Sequence, residues 1–168
     1  MSALSSAPVL HLLCGKIASG KSTLAAELAD KPGTLLISED AWLARLFGEE
    51  IKSVTDYVRY AARLREAMQP HLAALLRAGI SVVLDFPANT VENRAWMKKV
   101  IEASGAAHQL HYLDVPEALC KARLRERNAA GTHDFAATDA QFALITRYFS
   151  VPGEGEGFNV VRHSPPQA

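Results

Sequence analysis

The chain is poor in the features that mark several protein classes. It has only two cysteines, Cys14 and Cys120, in 168 residues. They lie far apart and without metal-ligand spacing, which excludes a disulfide-stapled scaffold and a cysteine-built zinc site. A reducing cytoplasm is the compartment this predicts. Neither sign of charge is in excess, since Lys plus Arg and Asp plus Glu each total 18. A neutral total supplies no broad basic field, so nucleic acid and anionic membrane are disfavoured as partners. No apolar run is long enough to span a bilayer, and the stretch from Met1 to Ser6 lacks the basic segment and apolar core of a signal peptide. Internal repeats and interior linkers are missing too. What is there is an ordinary globular composition, 49% hydrophobic and 21% charged, at a length that predicts one domain with a substantial core.

Short apolar runs alternate with helical patterns. Val9–Cys14, Gly33–Ser38, Ile80–Asp85, Gln109–Leu113 and Phe158–Val161 read as five strands. Helical patterns cover Thr23–Ala29, Ala41–Phe47, Thr55–Ala78, Thr90–Ala103, Pro116–Asn128 and Thr138–Phe149. Ser53 with Asp56, and Thr138 with Gln141, are helix-start signals. Pro70 interrupts the longest pattern, so a kink or a junction of two helices is expected near Gln69. Apolar strands separated by helices predict a single α/β domain, with a five-stranded mainly parallel sheet covered by helices on both faces. Ligands of such sheets lie beyond the carboxyl ends of the strands.

One segment carries specific chemistry. Gly15–Ser22 reads G-K-I-A-S-G-K-S and fits G-x-x-x-x-G-K-[ST], the phosphate-binding P-loop, with a strand before it and a helix after it. Glycine lets the backbone wrap close to phosphate oxygens, and the helix N-terminus presents N–H groups to the anion. The expected nucleotide contacts are Gly15, Lys16, Ile17, Ala18, Ser19, Gly20, Lys21, Ser22 and Thr23. Lys21 would reach the β- and γ-phosphates, and the Ser22 hydroxyl would hold Mg²⁺. ATP and Mg²⁺ are the expected cofactors. There is no Asn/Thr-Lys-x-Asp guanine signature and no ABC-type signature.

A phosphoryl-transfer site also needs a metal-side carboxylate, a base and cations. Asp85 ends the third apolar run in the form of a Walker B carboxylate, facing the metal held by Ser22; its other reading is a cap for the following turn. Asp40 follows the second strand, where a base would meet an acceptor hydroxyl; its other reading is an N-cap for a helix starting at Ala41. Arg123 and Arg127 share one helix face and lead into a Gly-containing loop, so they are candidates for a small lid over about 125–138. Lys121 and Arg125 read as a solvated face. His133 in that loop is a lesser candidate for touching substrate. His11, His71, His108 and His111 lie in apolar periodic segments and read as packed or edge residues. Trp42, Arg45, Tyr57, Tyr60, Arg63, Asn89 and Arg94 are the residues from which an acceptor pocket could be drawn.

The P-loop, the Ile37–Asp40 element, the strand Val82–Asp85 and Arg-x-x-x-Arg-Asn at 123–128 together resemble small bacterial P-loop kinases. The pattern is similar to the AAA-type ATP-binding proteins of the zeta-toxin and polynucleotide-kinase-like group, with gluconate, shikimate and chloramphenicol kinases more distant. The resemblance covers about the whole chain and implies a single P-loop NTPase domain. It implies Lys21 and Ser22 for ATP and Mg²⁺, Asp40 as catalytic base, and Arg123 and Arg127 as lid arginines. It also implies that Val151 and Pro152 flank adenine. Where polynucleotide kinases have an arginine three residues after the base, this chain has Leu43. The expected activity is transfer of the ATP γ-phosphoryl group to a hydroxyl of a small molecule. A nucleotide-binding regulatory module and a 5′-hydroxyl nucleic-acid kinase are the alternatives; the acceptor and the oligomeric state are left open.

Overall fold

A computed structural model describes residues 6–131 and 136–165. The proposed lid at about 125–138 is therefore described only in part. His133, and the end of the tail expected to fray over 164–168, lie outside the described residues.

Among the described residues there are five strands: β1 (Val9–Cys14), β2 (Thr34–Ser38), β3 (Ser81–Pro87), β4 (Ala107–Leu113) and β5 (Val160–His163). They form one sheet in the order β2-β3-β1-β4-β5, and every pairing is parallel. The helices are α1 (Lys21–Ala29), α2 (Glu39–Phe47), α3 (Val54–Arg77), α4 (Val91–Ser104), α5 (Glu117–Ala130) and α6 (Asp139–Arg147). The predicted α/β class is the observed one, and the sheet is wholly parallel. β1 sits at its centre, which is why its residues from Leu10 onward are buried without a break. A strand covered on both faces loses the alternation of a half-exposed strand.

Alternate residues of the inner strands feed two cores. Leu10, Leu12, Val82, Leu84 and Phe86 join Leu43, Leu64, Met68, Leu72 and Met97, the side chains of α2, α3 and α4. Leu13 and Val83 face the other way, against Ala25, Leu24 and Leu28 of α1. A third cluster, Leu113, Val115, Cys120, Leu124 and Phe142, seats α5 and α6.

Local signals set the helix ends. Ser53 Oγ accepts from the Asp56 N–H and Thr90 Oγ1 from the Asn93 N–H, while Thr138 and Gln141 form a reciprocal capping box. Two expectations are corrected. First, of the kink or helix junction expected near Gln69, the junction is ruled out: α3 is one helix of 24 residues running through Pro70. Pro70 and Glu66 both lie on the exposed side, so water can serve the carbonyl that proline leaves unpaired. Second, β5 begins two residues later than the apolar run suggested. Phe158 is occupied otherwise, edge-on to His108 and under the Lys98 ammonium at 4.8 Å.

Candidate functional site

The Gly15–Ser22 loop joins the carboxyl end of the central strand to the first turn of α1. Gly20 stands just before that helix at φ 102°, a left-handed conformation that glycine adopts without a Cβ penalty. A Cβ on Gly15 would lie 2.4 Å from Ser19 Oγ and 3.2 Å from Leu113 Cβ, so a side chain there would displace Ser19. The Gly15 N–H donates to Asn89 Oδ1 at 2.9 Å, which ties the loop to the segment after β3.

Lys21 folds back over its own loop. Its Nζ donates to the carbonyl of Gly15 at 2.6 Å and to that of Lys16 at 2.9 Å. Burial lowers its pKa to about 8, against the opposing pull of Asp85 and, more weakly, of Asp40. A half-desolvated ammonium held beside two carboxylates is short of compensating negative charge, and an incoming polyphosphate would provide it.

Asp85 owes its place to the sheet. It pairs in register with Ser38 of β2, but β1 and β3 lose register here: Leu12 pairs with Leu84, and Leu13 with Pro87. Such an irregularity re-aims side chains at the end of a ladder. Asp85 is two residues short of the strand end, and among the described residues no hydrogen bond ties its carboxylate to the following turn. Burial raises its pKa, with Lys21 pulling it back down.

Asp40 is not the N-cap of α2. Ser38 is, its Oγ accepting from the Ala41 N–H at 3.3 Å, and the helix starts at Glu39. Asp40 is thereby held in the first turn with its side chain exposed. Its charge acts on Lys21, on Asp85 and on Arg127. Arg127, from the last turn of α5, has its ionisation disfavoured by burial, and its Nε finds no partner among the described residues.

These groups border one cleft of about 1100 Å³. Lys16 to Thr23, Asp40, Asp85, Arg123 and Arg127 all line it. Gly15 lies buried beneath the loop. Val151 and Pro152 line a neighbouring recess of about 600 Å³ with Tyr112, Asp114 and Arg162. Phe149 belongs to the main cleft; its ring stacks on Tyr112 at 6.3 Å and lies under Lys16 Nζ at 5.4 Å.

The acceptor-pocket candidates divide. Tyr57 and Asn89 line the cleft; Trp42, Arg45, Tyr60, Arg63 and Arg94 do not. Tyr60 stacks on Phe47 at 4.4 Å, and Arg63 lies over Tyr60. Arg94 is fully buried, with Nε on Glu156 Oε1 at 2.8 Å and NH1 on the carbonyls of Ala88 and Ser150. It clamps the loop carrying Val151 and Pro152 to α4. Arg125 pairs with Asp139 at 2.7 Å on the surface, as a solvated face implies.

Sequence reading missed Glu39, which is 1% exposed directly beside Asp40. The Tyr57 hydroxyl donates to Glu39 Oε1, and Arg65 NH2 donates to Oε2 at 3.2 Å. Burial raises the Glu39 pKa, and Arg65 opposes this. Helical spacing offered a weak signal: Tyr57, Ala61 and Arg65 recur at four-residue steps on α3 and all face the cleft.

The AAA domain family matches residues 10–152, most of the chain. Solved structures share the fold at low identity. A candidate kinase from Chloroflexus aurantiacus is 21% identical, with TM-score 0.72, covering 94% of this chain and 85% of its own. The Mycobacterium tuberculosis APS kinase CysC, in complex with AMPPNP and APS, is 19% identical, with TM-score 0.62, covering 96% and 90%. A gluconokinase from Sinorhizobium meliloti is 17% identical, with TM-score 0.56, covering 96% and 83%. No curated protein matches significantly. Among the described residues no helix is long and apolar enough to cross a membrane. With a parallel sheet of this order and a P-loop after its central strand, the chain belongs to the AAA domain family and has the fold of the small P-loop kinases.

Proposed function

We propose that the protein is an ATP-dependent phosphotransferase that moves the γ-phosphoryl group to a hydroxyl of a small molecule. The observation that carries this is the convergence on one cleft of a phosphate-binding loop, Asp40, Asp85 and the α5 arginines. A binding module needs the loop alone. A transferase also needs an acceptor-side carboxylate and cations around the moving charge.

In this reading the P-loop amides and Lys21 hold the β- and γ-phosphates, with Lys21 exchanging its two loop carbonyls for phosphate oxygens. Asp40 accepts the acceptor's hydroxyl proton as its oxygen attacks. Arg123 and Arg127 offset the negative charge of the transferring group. Val151 and Pro152, held by the Arg94 clamp, border the recess assigned to adenine. Mg²⁺ fits the residues present: the Ser22 hydroxyl is exposed on the cleft, and Asp85 has no hydrogen bond to the turn after it among the described residues. Both are hard oxygen donors of the kind that ion takes alongside phosphate oxygens and water. When bound, it would neutralise charge between the β- and γ-oxygens.

The test is a screen with Mg·ATP against hydroxylated metabolites, nucleosides, antibiotics and short oligonucleotides, following both transfer and ADP release. Acceptor-stimulated turnover is expected from at least one small-molecule class. ATP binding with no stimulation by any acceptor would favour a regulatory module.

A further inference from the structure

Resting on that reading, a buried carboxylate accounts for how the proposed base is held. Asp40 sits in the first turn of α2 with an exposed side chain, so its aim depends on where that turn is anchored. Glu39 and Leu43, four residues apart on one face, are the buried residues of α2. Leu43 belongs to the apolar core. Glu39 is a carboxylate at 1% exposure whose two oxygens are both taken by α3. The Tyr57 hydroxyl donates to Oε1, and Arg65 NH2 donates to Oε2 at 3.2 Å. Arg65 is fixed in its turn, with its guanidinium over the Trp96 ring of α4 at 6.0 Å. Trp96 stacks on Phe86 at 5.7 Å, next to Asp85 on β3. One side chain thus references the start of α2 to α3, to α4 and to the strand carrying Asp85.

Packing alone does not ask for this arrangement. A buried ion pair carries a desolvation penalty that its attraction seldom exceeds, and two apolar side chains would join the helices as well or better. Arg65 also leaves its buried Nε without a partner among the described residues, a further cost to the fold. What a charged hydrogen-bonded cluster adds over apolar contact is direction, since each oxygen must meet one particular donor. That direction bears on the cleft. Asp40, Tyr57 and Arg65 all line it, and Glu39 stands buried behind them. The charge of Asp40 acts on Glu39 and Tyr57, as it does on Lys21, Asp85 and Arg127, so cluster and site lie within electrostatic reach of each other.

We infer that Glu39 is a positioning residue for phosphoryl transfer. By gripping Tyr57 and Arg65 it fixes the first turn of α2 against α3, and so holds the Asp40 carboxylate where an acceptor hydroxyl would meet it. Glu39 acts through Asp40 and leaves the hold of the P-loop on the nucleotide untouched.

Two substitutions test this. Glu39→Gln keeps the shape and removes the charge. Tyr57→Phe keeps the ring and removes one hydrogen bond, a milder change should the first variant fail to fold. Crystal structures of the full chain with Mg²⁺ and AMPPNP are expected to show the Asp40 carboxylate displaced by about 1 Å or more, the scale at which misplacement becomes costly to catalysis. AMPPNP affinity should be unchanged. Turnover is followed with ATP and the alcohol that the screen identifies, or with water where it identifies none. Each variant should lower kcat by about 10- to 10²-fold with KM for ATP little altered. In an Asp40→Asn background the same changes should lower kcat no further, because a residue that acts through Asp40 then has nothing to act on. Asp40 unmoved in every variant that folds, kcat losses that add to that of Asp40→Asn, or failure of both variants to fold would overturn the inference and leave the cluster a structural one. Full turnover in Asp40→Asn would remove the base reading instead, and a displaced Asp40 would still identify Glu39 as the residue that holds it.

Discussion

Arg94 and Glu156 form a two-pronged ion pair of which only the carboxylate meets solvent. Nε and NH2 reach the two oxygens at 2.8 and 3.2 Å, with the guanidinium side chain 0% and the carboxylate 22% exposed. Removing the carboxylate strands a buried cation. Glu156→Ala is therefore expected to destabilise the fold by about 3 kcal/mol. Arg94→Lys should also destabilise, since a lysine cannot serve Ala88, Ser150 and Glu156 together. Urea unfolding checks both; a loss under about 0.5 kcal/mol for Glu156→Ala would make the pair energetically a surface one.

His11, His111 and His163 run across β1, β4 and β5 as a hydrogen-bonded row. The two ring-to-ring distances are 3.1 and 2.9 Å. Burial, then the neighbouring histidines and Lys31, lower the His111 pKa from 6.5 to about 4. The folded pKa lies below the unfolded one, so the unfolded chain takes up the proton first. Stability is full above pH 6.5 and is lost as pH falls toward about 4. The expected loss is about 2 kcal/mol by pH 5. Denaturant midpoints through this range test it, and His111→Gln should flatten the slope.

Lys21 gives a pH dependence of binding in the opposite direction. Its pKa in the free protein is about 8. A bound polyphosphate would raise it, so the free protein gives up the proton first as pH rises. Affinity for ATP should weaken above pH 8, approaching tenfold per unit while only the free form is deprotonated. Titration calorimetry at several pH values reads this. Lys21→Ala should bind far more weakly at pH 7 and lose that dependence.

Asp40→Asn is expected to keep ATP binding and to lower kcat by about 10² to 10⁴, the usual worth of a positioned base. Asp85→Asn should instead raise the Mg²⁺ concentration needed for half-maximal turnover. Full transfer activity in Asp40→Asn would remove it from the role of base.

Much of this was legible because it is local. The P-loop turn between strand and helix and the Ser53 and Thr138 caps are written within a few residues, and they appear where expected. Asp40 and Asp85 were legible as residues near the carboxyl ends of two neighbouring strands, although Asp40 belongs to the first turn of α2 and β3 runs two residues past Asp85. What escaped depends on the third dimension. His11, His111 and His163 meet only through a strand order that the chain does not spell out. Arg94 looked like a pocket residue because its partners, Glu156 and Ser150, lie far along the chain. Glu39 was not singled out because Tyr57 and Arg65, which make its burial tolerable, are on another helix.

Asn89 has a consequence that reaches beyond nucleotide contact. Its side-chain oxygen holds the Gly15 amide and its backbone carbonyl holds the Ser150 amide, at 2.9 and 2.8 Å. Two segments remote in sequence thus hang on one residue, as two doors share a single post. A fluctuation that frees Asn89 releases the Gly15 and Ser150 amides together, while Arg94 keeps its hold on the Ser150 carbonyl. The amide protons of Gly15 and Ser150 should then exchange with solvent as one event, and nucleotide contacting either segment should slow both.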